Sequence, residues 1–260
     1  MKIAVCVKEV PDPGPSRRID PGTKRIDRSG DRSLNAFDLN AVEEALRIKE
    51  AAGEGEVVLV SMGVPKALDS IRKALGMGAD RAVLVSDDAA AGSDLVGTSK
   101  VLAAAISAES PDLVLFGQQA SDGDGAVMWS AVAERLQLPV VSQISELTVA
   151  DGKITAKRQT EFGYDTIEAP IPAVLAVSDA LNEPRFPSLK GIMGAKKKPQ
   201  DVKSLGDIGV DAGDVGEAGS RTAVSALNPP SSRGDTLKIE DEGGSSAQKI
   251  LDFLAERKLV

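Results

Sequence analysis

Two rhythms of hydrophobic residues alternate along the first half of this chain. Short unbroken apolar runs at residues 2–7 (KIAVCV), 56–62 (EVVLVSM), 81–85 (RAVLV), 113–116 (LVLF) and 173–177 (AVLAV) read as strands buried on both faces. Between the first four, apolar residues recur at helical spacing: Leu39, Val42 and Leu46; Leu68, Ile71 and Leu75; Leu95, Leu102, Ala105 and Ile106. Asn35 or Asp38 is placed to cap the first helix and Gly53 to end it. Gly63 and Pro65 open the second, Gly76 and Gly78 close it, and Pro111 stops the third. Repeated strand–helix units predict a parallel sheet covered on both faces, a Rossmann-like doubly wound α/β fold. Ligands of such sheets sit beyond the carboxyl ends of the strands, where the strand order reverses.

After Pro139 the rhythm shortens. Polar-edged runs at residues 140–144, 147–149, 154–157 and 166–168, with a hairpin turn at Asp151-Gly152, predict an antiparallel ribbon appended to the parallel sheet. Pro184 and Pro187 then stiffen a turn over residues 182–187 into an exposed loop suited to docking. Lys196, Lys197 and Lys198 read as a solvated charged face. Beyond Pro199 periodicity fades until residues 245–258, where Ile250, Phe253 and Leu254 suggest a last helix. The expected division is therefore residues 1–198 as the α/β domain with its extension and docking loop, and residues 199–260 as an arm laid over a partner. Near the N-terminus Pro11, Pro13, Gly14 and Pro15 break the chain, and residues 17–32 read as a loop or small hairpin.

Charge and composition narrow the chemistry. Lys and Arg number 31 against 39 Asp and Glu, a net charge of −8, which argues against nucleic acid as the main partner. There is no histidine and one cysteine, Cys6, which excludes His-based acid–base relays, an internal Cys-ligated cluster and an internal disulfide; no metal site is expected. Cys6 reads as a small core residue or as part of a cofactor lining. No apolar run approaches the roughly 20 residues of a membrane span, and no signal pattern begins at Met1, so a cytoplasmic, non-membrane protein is expected. A redox role would require an organic cofactor.

The candidate site is the stretch Gly117, Gln118, Gln119, Ala120, Ser121, Asp122, Gly123, Asp124, Gly125 between the fourth strand and a helix running to about residue 136. Its glycines permit close backbone approach and the helix start offers amide donors to an anion. A plain strand-to-helix turn capped by Asp122 or Asp124 explains the same residues. The two aspartates suit ribose hydroxyls or a cap better than phosphate.

Residues 157–199, KRQTEFGYDTIEAPIPAVLAVSDALNEPRFPSLKGIMGAKKKP, resemble the signature region of the electron transfer flavoprotein β-subunit family, densely from 173 to 198 and more loosely elsewhere. The resemblance implies an electron carrier rather than an enzyme, with no catalytic residues. It implies a heterodimer with an α-subunit that holds most of one FAD, while the β-subunit buries one AMP. Electrons would pass from donor dehydrogenases, such as acyl-CoA dehydrogenases of fatty acid oxidation, to a membrane quinone oxidoreductase. The AMP pocket would map onto Cys6, the turn Asn35, Ala36, Phe37 and Asp38, Met62, and the loop from Gly117 through Ala126, Val127 and Met128. Where other members have polar side chains, this chain has Ala126, Val127 and Met128, so backbone amides would serve there. Bifurcating branches of the family place a second FAD in that pocket. Phe37 is carried over as a flavin neighbour, and Pro13 stands where some relatives have a tyrosine. Donors would dock on Arg185, Phe186, Pro187, Ser188, Leu189, Ile192 and Met193, with Leu189 the apolar anchor. A free-standing nucleotide enzyme or sensor of the same fold is the competing class; it would want an amide-rich cradle after the first strand, where this chain has KEVPDP.

Overall fold

A computed structural model describes residues 1–12, 18–228, 238, 240–241 and 243–260. The first unit covers Met1–Val224 and the second Ser225–Val260. Pro13, Gly14, Pro15 and Arg17, read above as parts of a chain break and loop, lie outside the described residues.

The five long apolar runs become Lys2–Cys6 (β1), Glu56–Met62 (β6), Arg81–Val85 (β7), Leu113–Gly117 (β8) and Ala173–Val177 (β12). Glu9–Pro11 (β2), Ile19–Asp20 (β3), Arg25–Ile26 (β4) and Arg32–Leu34 (β5) form two small antiparallel pairs, β2 with β5 and β3 with β4. The ribbon consists of Val140–Ala150 (β9), Lys153–Thr160 (β10) and Gly163–Pro170 (β11). Its expected hairpin forms at Asp151 and Gly152, both in the left-handed region. Two of the expected short strands are one continuous β9, which register shifts at Gln143 (φ 55°) towards β12 and at Ser145 towards β10 bend without breaking. Gln200–Lys203 (β13) completes a nine-stranded sheet of order β11-β10-β9-β12-β8-β1-β6-β7-β13. From β9 to β13 neighbouring strands are parallel. The order runs outward from β1 in both directions, through β6 and β7 on one side and β8 and β12 on the other. The reversal point is thus the gap between β1 and β8, as a doubly wound fold requires.

Because successive side chains in a strand point to opposite faces, each central strand feeds two cores. Ile3, Val5 and Leu59 pack with Val42, Leu46, Ile71 and Leu75 of Ala36–Ala52 (α1) and Leu68–Met77 (α2). Ala4, Cys6, Val58 and Phe116 pack with Leu102 and Ile106 of Leu95–Glu109 (α3) and Val132 of Met128–Leu136 (α4). Asp94 caps α3 by accepting from the Val96 and Gly97 amides. Gly53 ends α1 in the left-handed conformation.

Three expectations change. Gly76 does not end α2; it faces Leu189–Ala195 (α5), where a Cβ on Gly191 would lie 2.2 Å from the Gly76 carbonyl oxygen. Lys198 is not solvated, since its Nζ donates to the Leu75 oxygen at 2.9 Å and to that of Ala79, closing the end of α2. The arm does not start at 199. Residues 200–224 belong to the first unit, through β13 and the short helix Gly216–Gly219 (α6), and the boundary falls at Val224. The second unit, taken by itself, carries the helix Ser246–Glu256 (α7), none of whose side chains is buried.

Candidate functional site: the reversal point between two strands

The N-terminus of α1 is wedged into the gap where the strand order reverses. Gly117, the last residue of β8, makes this fit possible. A Cβ there would stand 2.5 Å from the Phe37 carbonyl carbon and 2.6 Å from Asp38 Oδ1. Expected to admit a ligand, Gly117 admits α1 instead. Asn35 occupies the N-cap position but makes no capping bond with its side chain. Its Nδ2 donates to the Gln119 carbonyl at 2.8 Å and to Asp38 Oδ1 at 2.9 Å, and its Oδ1 accepts from the Ser121 amide at 3.1 Å. Asn35 therefore stitches the helix start to the loop after β8. It is fully buried, so each of these bonds replaces lost water.

Asp38 has both oxygens engaged, Oδ1 by Asn35 and Oδ2 by the Lys8 amide at 2.7 Å. Burial nevertheless pushes its carboxyl up to about 7, against the pull of the Asn35 bond, the Lys8 amide and the Lys8 charge; nearby Asp122 adds to the rise. Burial also drives the Cys6 thiol well above its ordinary value, with the Asp38 charge contributing. Cys6 is thus a neutral core group packed beside Phe116, with Met62 and Met128 at the margin of the same cluster.

Asp122 does not cap α4. It points inward, 7% exposed, and is held by Lys8 Nζ at 2.8 Å and by the Arg28 guanidinium. Burial raises its carboxyl, yet the bonds and charges of Lys8 and Arg28 outweigh that and leave it below the usual range. Two cations meet the Asp122 carboxylate and both are partly solvent-facing, while exposed Asp124 of the same loop balances the second of them. Lys8 directly follows β1, so its place in the fold could have flagged it. Arg28 sits in a stretch without periodicity and gave no signal.

Beyond Asp122 the loop opens. Gly123, Asp124, Gly125 and Val127 are exposed, and a Cβ on either glycine would meet nothing within 4 Å. Asp124 and Ala126 adopt positive φ, 43° and 47°. Among the described residues, the amides of Gly125, Ala126 and Val127 reach no protein acceptor. Free amides, the start of α4, open space and the part-exposed cations Lys8 and Arg28 together suit an anionic group such as a phosphate, with Asp124 opposing it.

The second cluster lies on the turn before α5. Arg185 donates to Glu43 Oε2 from Nε at 2.7 Å and to Glu43 Oε1 at 3.0 Å, and its guanidinium also pairs with Glu50. Expected to face a partner, its head is spent on α1. Asn182 and Asn40 exchange side-chain-to-carbonyl bonds at 2.7 and 3.1 Å, and Asn182 also donates to Glu44 at 3.0 Å. Ser188 caps α5 through the Gly191 amide at 3.0 Å. Past this mount the apolar side chains stand out: Phe186 is 90%, Leu189 76%, Met193 70% and Ile192 56% exposed. Glu43 lies between Leu39 and Leu46 in helical spacing, and a carboxylate on an apolar stripe was a legible hint of a buried ion pair. Among the described residues there is no cluster that would hold a metal ion and no helix long and apolar enough to cross a membrane.

A doubly wound α/β domain with a loop of free amides at its reversal point is a fold in which ligands sit beyond the carboxyl ends of the strands. The model of the electron transfer flavoprotein domain matches residues 23–207. The electron transfer flavoprotein subunit beta of Thermoanaerobacterium thermosaccharolyticum is 42% identical over 262 residues, covering all of both chains. That of Mycobacterium bovis is 41% identical over 266 residues, covering 99% of each. The caffeyl-CoA reductase-Etf complex subunit CarD of Acetobacterium woodii is 39% identical over 263 residues, again covering both chains in full. The chain belongs to the electron transfer flavoprotein family as a β-subunit, an electron carrier rather than an enzyme.

Proposed function

We propose that this chain pairs with an electron transfer flavoprotein α-subunit, buries an AMP at the reversal point, and helps hold an FAD that carries electrons from donor dehydrogenases to a quinone oxidoreductase. The observation that carries the nucleotide reading is the loop after β8, whose Gly125, Ala126 and Val127 amides have no protein acceptor among the described residues. Those amides and the cations Lys8 and Arg28 would hold the phosphate. Asn35 keeps the loop in place, while Cys6, Met62 and Met128 supply apolar lining. Phe37, half-buried at the start of α1, would neighbour the flavin, which supplies the redox chemistry when bound.

Electron delivery to the flavin would occur over α5. Its four exposed apolar side chains form a patch that a donor's pocket would cover, with Leu189 as anchor. α7, with Ile250 and Leu251 about half exposed, would give its apolar face to the α-subunit. The similarity to a subunit of a caffeyl-CoA reductase complex supports a second reading, in which the pocket takes another FAD in place of AMP.

Co-expression with an α-subunit should yield a yellow, stoichiometric heterodimer. Burying a leucine-sized anchor is worth roughly 1.5–3 kcal/mol. Leu189→Ala should therefore raise KM for a donor acyl-CoA dehydrogenase by about tenfold. Flavin content and heterodimer stability should not change. An unaltered KM, or loss of flavin, would remove Leu189 from the docking surface.

A further inference from the structure

The exposed apolar side chains of the docking segment lie between two attachments. On the far side α5 is locked to α2, with Ala195 buried and Gly191 against Gly76. On the near side Pro187 lies against Gly76 of α2, but the chain before Phe186 has no apolar anchor of that kind. Leu181 packs only at the margin of the first core, and residues 182–185 are held to α1 largely by polar bonds. The strongest of these belong to Arg185. Its backbone amide donates to Glu43 Oε2 at 3.1 Å, its guanidinium engages both Glu43 oxygens, and Glu50 takes the remaining edge. Glu43 is 4% exposed and also accepts from Arg47 at 3.1 Å. Burial raises the Glu43 carboxyl, but Arg185 and Arg47 hold it below its ordinary value, so it stays ionised as the seat of this contact.

We propose that Arg185 is a positioning residue: it mounts the docking segment on α1 through Glu43 and Glu50 and does not itself touch the donor. This rests on the docking reading above. The physical reason is preorganisation. A segment fixed at both ends presents Phe186 and Leu189 without ordering them at the moment of encounter, whereas a segment fixed at one end loses that freedom on binding. Arg suits the task because its planar fork engages both oxygens of Glu43 while another edge meets Glu50, a bidentate geometry that an ammonium does not match.

The test compares Arg185→Gln, Arg185→Lys, Glu43→Gln and the double variant Arg185→Gln/Glu43→Gln in the intact heterodimer. Amide exchange across residues 186–192 should quicken about tenfold in Arg185→Gln and in Glu43→Gln. Arg185→Lys should recover only part of the protection, and exchange in the loop after β8 should not move. KM for the donor dehydrogenase should rise about tenfold in both single variants with kcat unchanged. The double variant should be no worse than either single one, because both remove the same contact. If Arg185 instead touches the donor, Glu43→Gln will leave KM at the wild-type value and the two effects will not couple; that result overturns the proposal. Unchanged exchange in Arg185→Gln overturns it as well. If exchange quickens while KM stays constant, Leu189→Ala separates the causes. A raised KM there rejects the positioning role, whereas an unaltered KM rejects the docking reading and leaves the mount as a structural contact only.

Discussion

Gly117 and Gly123 stand six positions apart in the same stretch yet have different work, and the difference is one of neighbours. A Cβ on Gly117 would collide with the backbone of Phe37 and Asp38, whereas one on Gly123 would enter open space. Gly117→Ala should therefore push α1 out of the gap, lowering stability by about 1–3 kcal/mol in urea unfolding. Gly123→Val should leave the unfolding midpoint close to wild type while obstructing nucleotide retention, read as nucleotide per heterodimer after gel filtration. Equal loss of stability in both variants would mean that the loop is only a turn. Asp38 gives a pH dependence of definite sign. Folded Asp38 titrates at about 7 against an ordinary 3.8, so between those values the folded chain holds a proton that the unfolded chain has released. Its stabilising contribution is complete below about pH 4 and is lost as pH rises through 7, by at most on the order of 4 kcal/mol. Asp122 and Glu43 shift the other way and titrate below that range, so they do not mask the effect between pH 5 and 7. Glu44 is raised by burial and would add to it. Unfolding midpoints at pH 5, 6 and 7 should fall more steeply in wild type than in Asp38→Asn. Parallel slopes would contradict this account of Asp38.

At the scale of elements, the packing of α5 on α2 depends on two facing glycines. Gly191→Ala would set a methyl 2.2 Å from the Gly76 carbonyl oxygen, so α5 must move. A raised KM for the donor dehydrogenase, with nucleotide content intact, is the expected readout; unchanged kinetics would mean that α5 tolerates the shift or does not dock. The long helices α1, α2 and α3 and the central strands were legible because their burial is periodic, whereas the short α5 and α6 were not expected. β6, β7 and β12 coincide with their apolar runs, and α1 begins and ends within a residue of its expected limits. β13 was not legible. Gln200–Lys203 is a four-residue edge strand with three exposed side chains, and pairing with β7 through backbone bonds leaves no hydrophobic signature. The polar network was only half visible for a similar reason. Asn35, Asp38 and Asp122 lie at turn positions that attract attention, but their partners Lys8 and Arg28 are joined to Asp122 across 114 and 94 residues of chain.

For the whole molecule, the sheet order places the proposed nucleotide site and the proposed docking segment on one helix. α1 begins at the reversal point with Asn35 and Asp38, and its Glu43 and Glu50 carry the turn before α5. α1 thus spans from the proposed nucleotide site to the proposed docking patch. In the proposed assembly the loop after β8 holds an adenine nucleotide of its own beside the flavin. The most direct test is to denature the purified heterodimer and identify and count the released nucleotides by mass. FAD and AMP should be released in about equal amounts, one of each per heterodimer. One FAD with no second nucleotide would contradict the site, and two FADs without AMP would contradict the nucleotide assigned to it.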